Sequence, residues 1–280
     1  MDGVVVIFWP ASGERGVALL TAVKQWFKPA AVVEPQATQW LIDTYLWALE
    51  QFDSDFFQHH TVLVLPNERF FPGRADHSDA MANLILDHVK RYAGTTHWPL
   101  VAVSSLQCQP VESLRLAIEP PLRRPAAESM PPGAETALIP IPYLVDQLTR
   151  PEGMIATFAH VIGHYLAQMG REPPPGGEAS WGYATELLAI YMGFGVMFAN
   201  SAFTHRGGCG SCYNPNAVRQ ANLSELESLY ALALFAALKR LPPRQITPHL
   251  KRHLRSHFRR FMAQIERHSC WPKLERALQR

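Results

Sequence analysis

The chain has 280 residues, of which 48% are apolar and 18% charged, the composition of an ordinary globular protein able to bury a sizeable core as one large domain or two small ones. A net charge of +2 gives no global reason to expect a nucleic acid as partner. Four scattered cysteines, Cys108, Cys209, Cys212 and Cys270, exclude the disulfide framework of a small secreted domain.

In chain order, the start MDGVVVIFWP carries an acidic residue where a secretory signal needs positive charge, and its apolar stretch is too short for one. Residues 4–9 read as a buried strand ended by Pro10. Ser12 is placed to cap a helix that runs to about Phe27, with Glu14 suiting its positive end. Trp40, Leu41, Tyr45, Leu46 and Leu49 mark one face of a helix over 36–52. TVLVL at 61–65 predicts a second strand, turned by Pro66 and Asn67. A helix over 78–92 and a strand over 100–105 follow, so 1–109 is expected to form an N-terminal α/β layer.

Prolines 120, 121, 125, 131 and 132 leave no room for a long regular element, and 110–136 is expected to be a linker or a surface loop. ALIPIPY at 137–143 is extended, and Pro140 and Pro142 remove alternate donors, as on an edge strand. The rest, 137–280, reads as a helical region, separate from the N-terminal part or packed with it as one domain. Its longest apolar run, Leu187 to Ala199, is shorter than the ~20 residues a membrane-spanning helix needs and is broken by Gly193 and Gly195. The expected location is the cytoplasm, with no membrane span.

Apolar residues at helical spacing from Met154 to Met169 predict a helix that carries His160 and His164. Side chains four apart share a face, with Cβ atoms about 5–6 Å apart, so one divalent ion could bridge both imidazoles. After a Pro/Gly loop at 172–178, a second apolar helix begins near Trp181 and carries Glu186. A carboxylate among Leu187, Leu188, Ile190 and Tyr191 needs a partner, because an unanswered buried charge is costly. Two histidines and a glutamate make a catalytic zinc set. The alternative is that both histidines are core residues held by ordinary hydrogen bonds. The G-F-G at 193–195 suits close helix packing.

H-x-x-x-H on one helix and an acid on the next resemble the gluzincin-type zinc metallopeptidases. The stretches ATFAHVIGHYL, PPPGGE and ATELLAIYMGFGVMFANSAF resemble a bacterial family of zincin-like proteins of undefined function, as do TVLVLPNERFFPG and ANLSELESLYALALFAALKR. The resemblance implies a helix-rich α+β fold, a zincin-like core with an N-terminal α/β layer and C-terminal helices. In that family the first helix usually reads H-E-x-x-H and the second E-x-x-x-D, and an edge strand beside the metal helix pairs with substrate backbone. Here Val161 stands where the catalytic Glu would take a proton from zinc-bound water. If Glu186 corresponds to the Asp, the ligand position is Gly182; otherwise Glu186 is itself the third ligand. Either way the general base is missing, a loss worth about 10²–10⁴ in rate. The expectation is a pseudo-metallopeptidase with a binding or regulatory role toward a protein partner, through the old cleft or a basic C-terminal face. The alternatives are a hydrolase with zinc on His160, His164 and Glu186, with Glu178 as the nearest spare acid, and an interaction protein with no metal.

A second candidate metal site is His205 with the C-x-x-C pair Cys209 and Cys212, which needs one more ligand such as Cys108 or Cys270. The same pair suits redox exchange, without the usual βαβ surroundings, or is a glycine-rich loop with two free thiols. Asn222 or Ser224, with Glu225 or Glu227 three residues on, caps a helix to Lys239 whose apolar face holds Leu226, Leu229, Tyr230, Ala233, Leu234 and Ala237. A last helix, near Pro248 to His268, sets Leu250, Leu254, Phe258, Phe261, Met262 and Ile265 against Lys251, Arg252, Arg255, Arg259 and Arg260. That basic face suits phosphate, an acidic membrane or plain solvent, and specific nucleic-acid binding is not expected. No nucleophile elbow, Walker loop or dinucleotide fingerprint is present. If Cys209 and Cys212 hold zinc, thiol titration of the native protein should find them protected until a chelator is added; immediate labelling without zinc release removes that site.

Overall fold

A computed structural model describes residues 33–105, 116–129, 132–133, 136–201 and 221–279, all within one unit of the chain. The strand and helix expected over 4–27, Cys108 and the His205/Cys209/Cys212 segment lie outside the described residues.

Helix α1 (Pro35–Gln51) opens on a proline, whose fixed φ suits the first helical turn. It is followed by the short α2 (Ser54–His59) and by α3 (Ser78–Ala93), which ends at Gly94 in the left-handed region, φ 78°. Strands β1 (Leu100–Ser104) and β2 (Ile139–Tyr143) form a two-stranded parallel sheet with Leu100 opposite Ile139. Helix α4 (Pro151–Gln168) carries both candidate histidines, and α5 (Trp181–Ala189) carries Glu186. A π turn (Ile190–Phe194) links α5 to α6 (Gly195–Ser201). Helices α7 (Glu225–Leu238), α8 (Leu254–Ile265) and α9 (Trp271–Leu278) complete the described chain. The fold is therefore helix-rich α+β. Residues 33–105, 136–201 and 221–279 share one core, because β1 pairs with β2 and α1 packs on both α5 and α7. The described part of the proline-rich stretch, 116–129, is tied to this core through Arg123.

The core is built around α7. Ser224 caps it through a reciprocal pair: its Oγ accepts from Glu227 N at 3.2 Å, and Glu227 Oε2 accepts from Ser224 N at 2.7 Å. From Ser228 to Leu238 every residue is buried, so the single apolar face expected from the sequence becomes a helix enclosed on all sides. Helices α1, α6, α8 and the π turn surround it.

The segment 61–65 departs from expectation: it forms no strand pairing among the described residues. Instead Val64 N donates to Gly193 O at 3.0 Å. Gly193, at φ 102°, breaks the long apolar helix and frees that carbonyl; a Cβ there would run into the Val62 carbonyl oxygen. Gly195 instead permits close packing, since a Cβ would lie 2.8 Å from Leu232 Cδ1. Gly177–Ser201 is long and apolar enough to cross a membrane, but 89% of its apolar window is buried inside the protein, the pattern of a core helix.

In β2 the donors that remain face β1. Ile139 N donates to Pro99 O at 2.7 Å, and Tyr143 O accepts from Ser105 N at 2.8 Å, so Pro140 and Pro142 fall on the outer edge. On the far side of β1 the Asn83 amide pairs with both backbone groups of Ala102: Ala102 N donates to Asn83 Oδ1 and Asn83 Nδ2 donates to Ala102 O, each at 2.9 Å.

The proline-rich stretch is pinned by Arg123, which is 2% exposed. Its Nε donates to Ala93 O at 2.8 Å and its Nη2 to Thr61 Oγ1 at 2.9 Å. The guanidinium lies over Phe56 (4.3 Å) and faces Tyr191 (5.6 Å), whose ring stacks on Phe57 at 4.5 Å; Lys239 Nζ stands 5.4 Å from the Phe57 ring. Burial lowers the Arg123 pKa to about 10, against the opposing pull of Tyr191 and Asp53. At the C-terminus the long helix expected over 248–268 is shorter. Pro243–Ile246 makes one turn, Thr247–His249 a 3₁₀ turn, and α8 starts only at Leu254. Pro272 then sits in the first turn of α9, a helix the sequence reading did not separate.

Replacing Gly193 with Ala should cost at least ~2 kcal/mol, through the left-handed backbone and the clash with Val62. Urea unfolding measures it; an unchanged midpoint would show that the kink carries no strain for a side chain.

Candidate metal centre on the α4–α5 pair

Helices α4 and α5 touch at Gly163, where a Cβ would stand 2.8 Å from Thr185 O and 3.6 Å from Leu188 Cβ. Burial along α4 follows the helical period. Met154, Ile155, Phe158, Ala159, Ile162 and Leu166 are buried, while Thr157, His160, Val161 and His164 are half-buried and Gln168 is exposed. The two histidines thus share the accessible side of α4 with Val161, as their spacing requires. Val161 offers only an isopropyl group there, with no proton to give or take.

His164 Nε2 lies 3.0 Å from Gln168 Nε2. The amide can only donate, so Nε2 accepts and the ring proton belongs on Nδ1. Burial lowers the His164 pKa, which favours the neutral ring. A neutral imidazole is the form that ligates a metal, but the lone pair a metal would use at Nε2 already receives the Gln168 N–H.

Glu186 is fully buried. Its Oε1 accepts from Asn222 N at 2.9 Å and from Asn222 Nδ2 at 3.2 Å, and its Oε2 accepts from Leu223 N at 2.9 Å. These residues immediately precede Ser224, the cap of α7. The carboxylate therefore binds the chain at the positive end of a buried helix, where a negative charge is stabilised. Gly182, one turn earlier, faces the same side chain: a Cβ there would approach Asn222 Oδ1 to 2.8 Å. Asn222 thus lies beside both Gly182 and Glu186.

Among the described residues no three His, Cys, Asp or Glu side chains are gathered to hold an ion. His160 and His164 come together on α4, while the Glu186 carboxylate is held at the head of α7. The Glu186 oxygens that a zinc ion would need are engaged by Asn222 and Leu223. Glu178 is exposed in the 3₁₀ turn before α5. The loop leading to it is held from α1, by Trp40 Nε1 donating to Pro175 O at 2.8 Å and Trp47 Nε1 to Glu172 O at 3.0 Å. Of the two candidate caps, Ser224 caps α7, and Asn222 instead bonds Glu186, a contact with no local pattern in the sequence. The one signal available was the need of a buried carboxylate for donors.

The basic C-terminal face is partly committed to structure. Arg255 donates to Leu250 O at 2.9 Å and to Pro248 O at 3.1 Å, while Lys251 and His253 pair with Glu225 at 3.6 and 2.9 Å. The apolar side of α8, including Leu254, Phe258 and Ile265, is buried in the protein. Comparison with protein-family models, with curated proteins and with solved structures finds no match.

Glu186→Gln should destabilise the metal-free protein by about 1–3 kcal/mol, because an amide NH₂ would face backbone N–H groups that now have an acceptor. Denaturant midpoints in chelator measure it; an unchanged midpoint would remove the anchoring role.

Proposed function

We propose that the chain is a zincin-like pseudo-metallopeptidase that works by binding a protein partner rather than by hydrolysis. The observation that carries this is the double commitment of the old catalytic positions. Val161 occupies the base position on the accessible side of α4, and the Glu186 carboxylate is engaged by Asn222 and Leu223. A helix pair so arranged keeps the shape of a metallopeptidase core while its polar groups serve the fold.

A partner surface is available beside α4. Leu138, Leu144 and Val145, at 51%, 59% and 42% exposure, flank β2 at both ends. They connect to α4 through Gln147, whose Nε2 donates to Thr157 Oγ1 at 3.4 Å. Exposed apolar groups at the rim of an ancestral cleft suit contact with another protein. The metal-dependent hydrolase on His160, His164 and Glu186 is the rival, and the placement of Glu186 supports it less.

The purified protein should carry well under one zinc per chain on the α4–α5 pair and should not cleave casein in excess zinc. Val161→Glu alone should stay inactive. Val161→Glu combined with Gly182→Glu should bind zinc more tightly than the natural chain, provided Asn222 moves aside. Robust casein cleavage by the unmodified protein, abolished by His160→Ala, would overturn the pseudoenzyme assignment.

A further inference from the structure

Away from α4 and α5, a cleft of about 300 Å³ opens where the end of α7 meets α2 and α9, with Gln58, Lys239, Arg240, Trp271 and Glu275 on its walls. Lys239 is unusual among the charged groups of this protein. Its Nζ donates to Phe57 O and to Gln58 O, both at 2.7 Å, near the end of α2. Behind it lies the Phe57 ring, stacked on Tyr191, with the Arg123 guanidinium beyond. It forms no ion pair with any described carboxylate. Two carbonyls take two of the four tetrahedral directions of the nitrogen and the side chain takes a third. A neutral amine held this way uses both its N–H bonds and keeps its lone pair on the remaining direction.

The next residue adds a second observation. Arg240 sits at φ 52°, in the left-handed position after a helix that glycine normally fills. Leu241 N donates to Ala236 O at 2.8 Å and Arg240 N to Ala237 O at 3.0 Å, so the backbone there is fixed by hydrogen bonds. A long cationic side chain is thereby held on the cleft wall at a site where its backbone is strained.

We propose that Lys239 is a nucleophilic amine, and that the cleft takes a small carbonyl compound bearing an anionic group, which Lys239 captures as an imine. The amine lone pair adds to the carbonyl carbon, and the carbonyl oxygen takes up the proton that the nitrogen loses, giving a carbinolamine. Departure of water leaves the C=N bond. No electron is gained or lost, and addition of water reverses the sequence. Arg240 binds the anionic group, and the Trp271 ring offers a flat apolar wall. Glu275 is the lining acid and is outnumbered by the two cations.

Protonation of Lys239 is compatible with this role. Burial first, and the charge of Arg123 second, lower its pKa to about 8. Roughly a fifth of it is then neutral at pH 7.4, against about a thousandth of an ordinary lysine. The other ionisable groups at the end of α7 and on the packed α2 and α9 are Arg240, Lys273, Glu275 and Arg276, and Asp55, His59 and His60 on or beside α2, of which His59 pairs with Asp55 at 3.6 Å.

The test uses the full chain, which has six lysines. Native protein is treated with limiting pyridoxal 5′-phosphate at pH 7.4, reduced with borohydride, digested and mapped by mass spectrometry. Lys239 should carry at least tenfold more adduct than exposed Lys251 or Lys273, and the preference should vanish in guanidinium. Arg240→Ala should lower the adduct at Lys239 several-fold with this anionic aldehyde and leave labelling by uncharged benzaldehyde unchanged. Even labelling of the lysines, or a spared Lys239, overturns the nucleophile. Equal labelling by both aldehydes that ignores Arg240→Ala overturns the anionic ligand class. Neither readout depends on zinc or on the α4–α5 pair.

Discussion

A carboxylate with no exposure must find its charge answered inside the protein, and much of this fold follows from how Glu186 does so. Its two oxygens hold the backbone of Asn222 and Leu223 just ahead of the cap that starts α7. Because α7 is buried on every side, that junction sets the helix against which α1, α6 and α8 pack. The residue best suited by its chemistry to complete a metal site is thus the one on which the central helix rests. The two histidines lie half-buried on one side of α4.

The sequence made the helices legible wherever one face was apolar and the other was not. α1, α3 and α4 fall within about three residues of their predicted bounds, and the Ser224–Glu227 cap was readable as a motif. Parallel pairing of β1 and β2 was not readable, since register depends on contacts rather than local pattern. TVLVL shows the same limit: its β-branched, apolar run says strand, while the partner of Val64 is the Gly193 carbonyl far along the chain. At the candidate site, the shared face of His160 and His164 followed from spacing alone. The direction of Glu186 did not, because its donors lie 36 residues away in a segment with no periodic signal.

Charge is handled elsewhere in the core by aromatic rings. Arg123, Tyr191, Phe57 and Lys239 form a row in which two cations bracket two stacked rings. A ring face carries partial negative charge, so each cation gains an attraction without a buried carboxylate. The row joins the proline-rich crossing, the long apolar helix, α2 and the end of α7. It explains why a stretch that reads as a loop is fixed to the core by its arginine.

The small sheet is closed on both sides, by Pro140 and Pro142 on β2 and by the Asn83 amide on β1. An open strand edge is a template on which a second molecule can add its own strand, and such addition propagates into aggregates. Here the incoming strand would meet prolines on one side and an occupied backbone on the other. Leu138, Leu144 and Val145 can therefore stay exposed beside a strand without that strand nucleating polymerisation. The protein keeps a sticky rim at the sheet while denying it the backbone pairing that would make the rim dangerous to solubility.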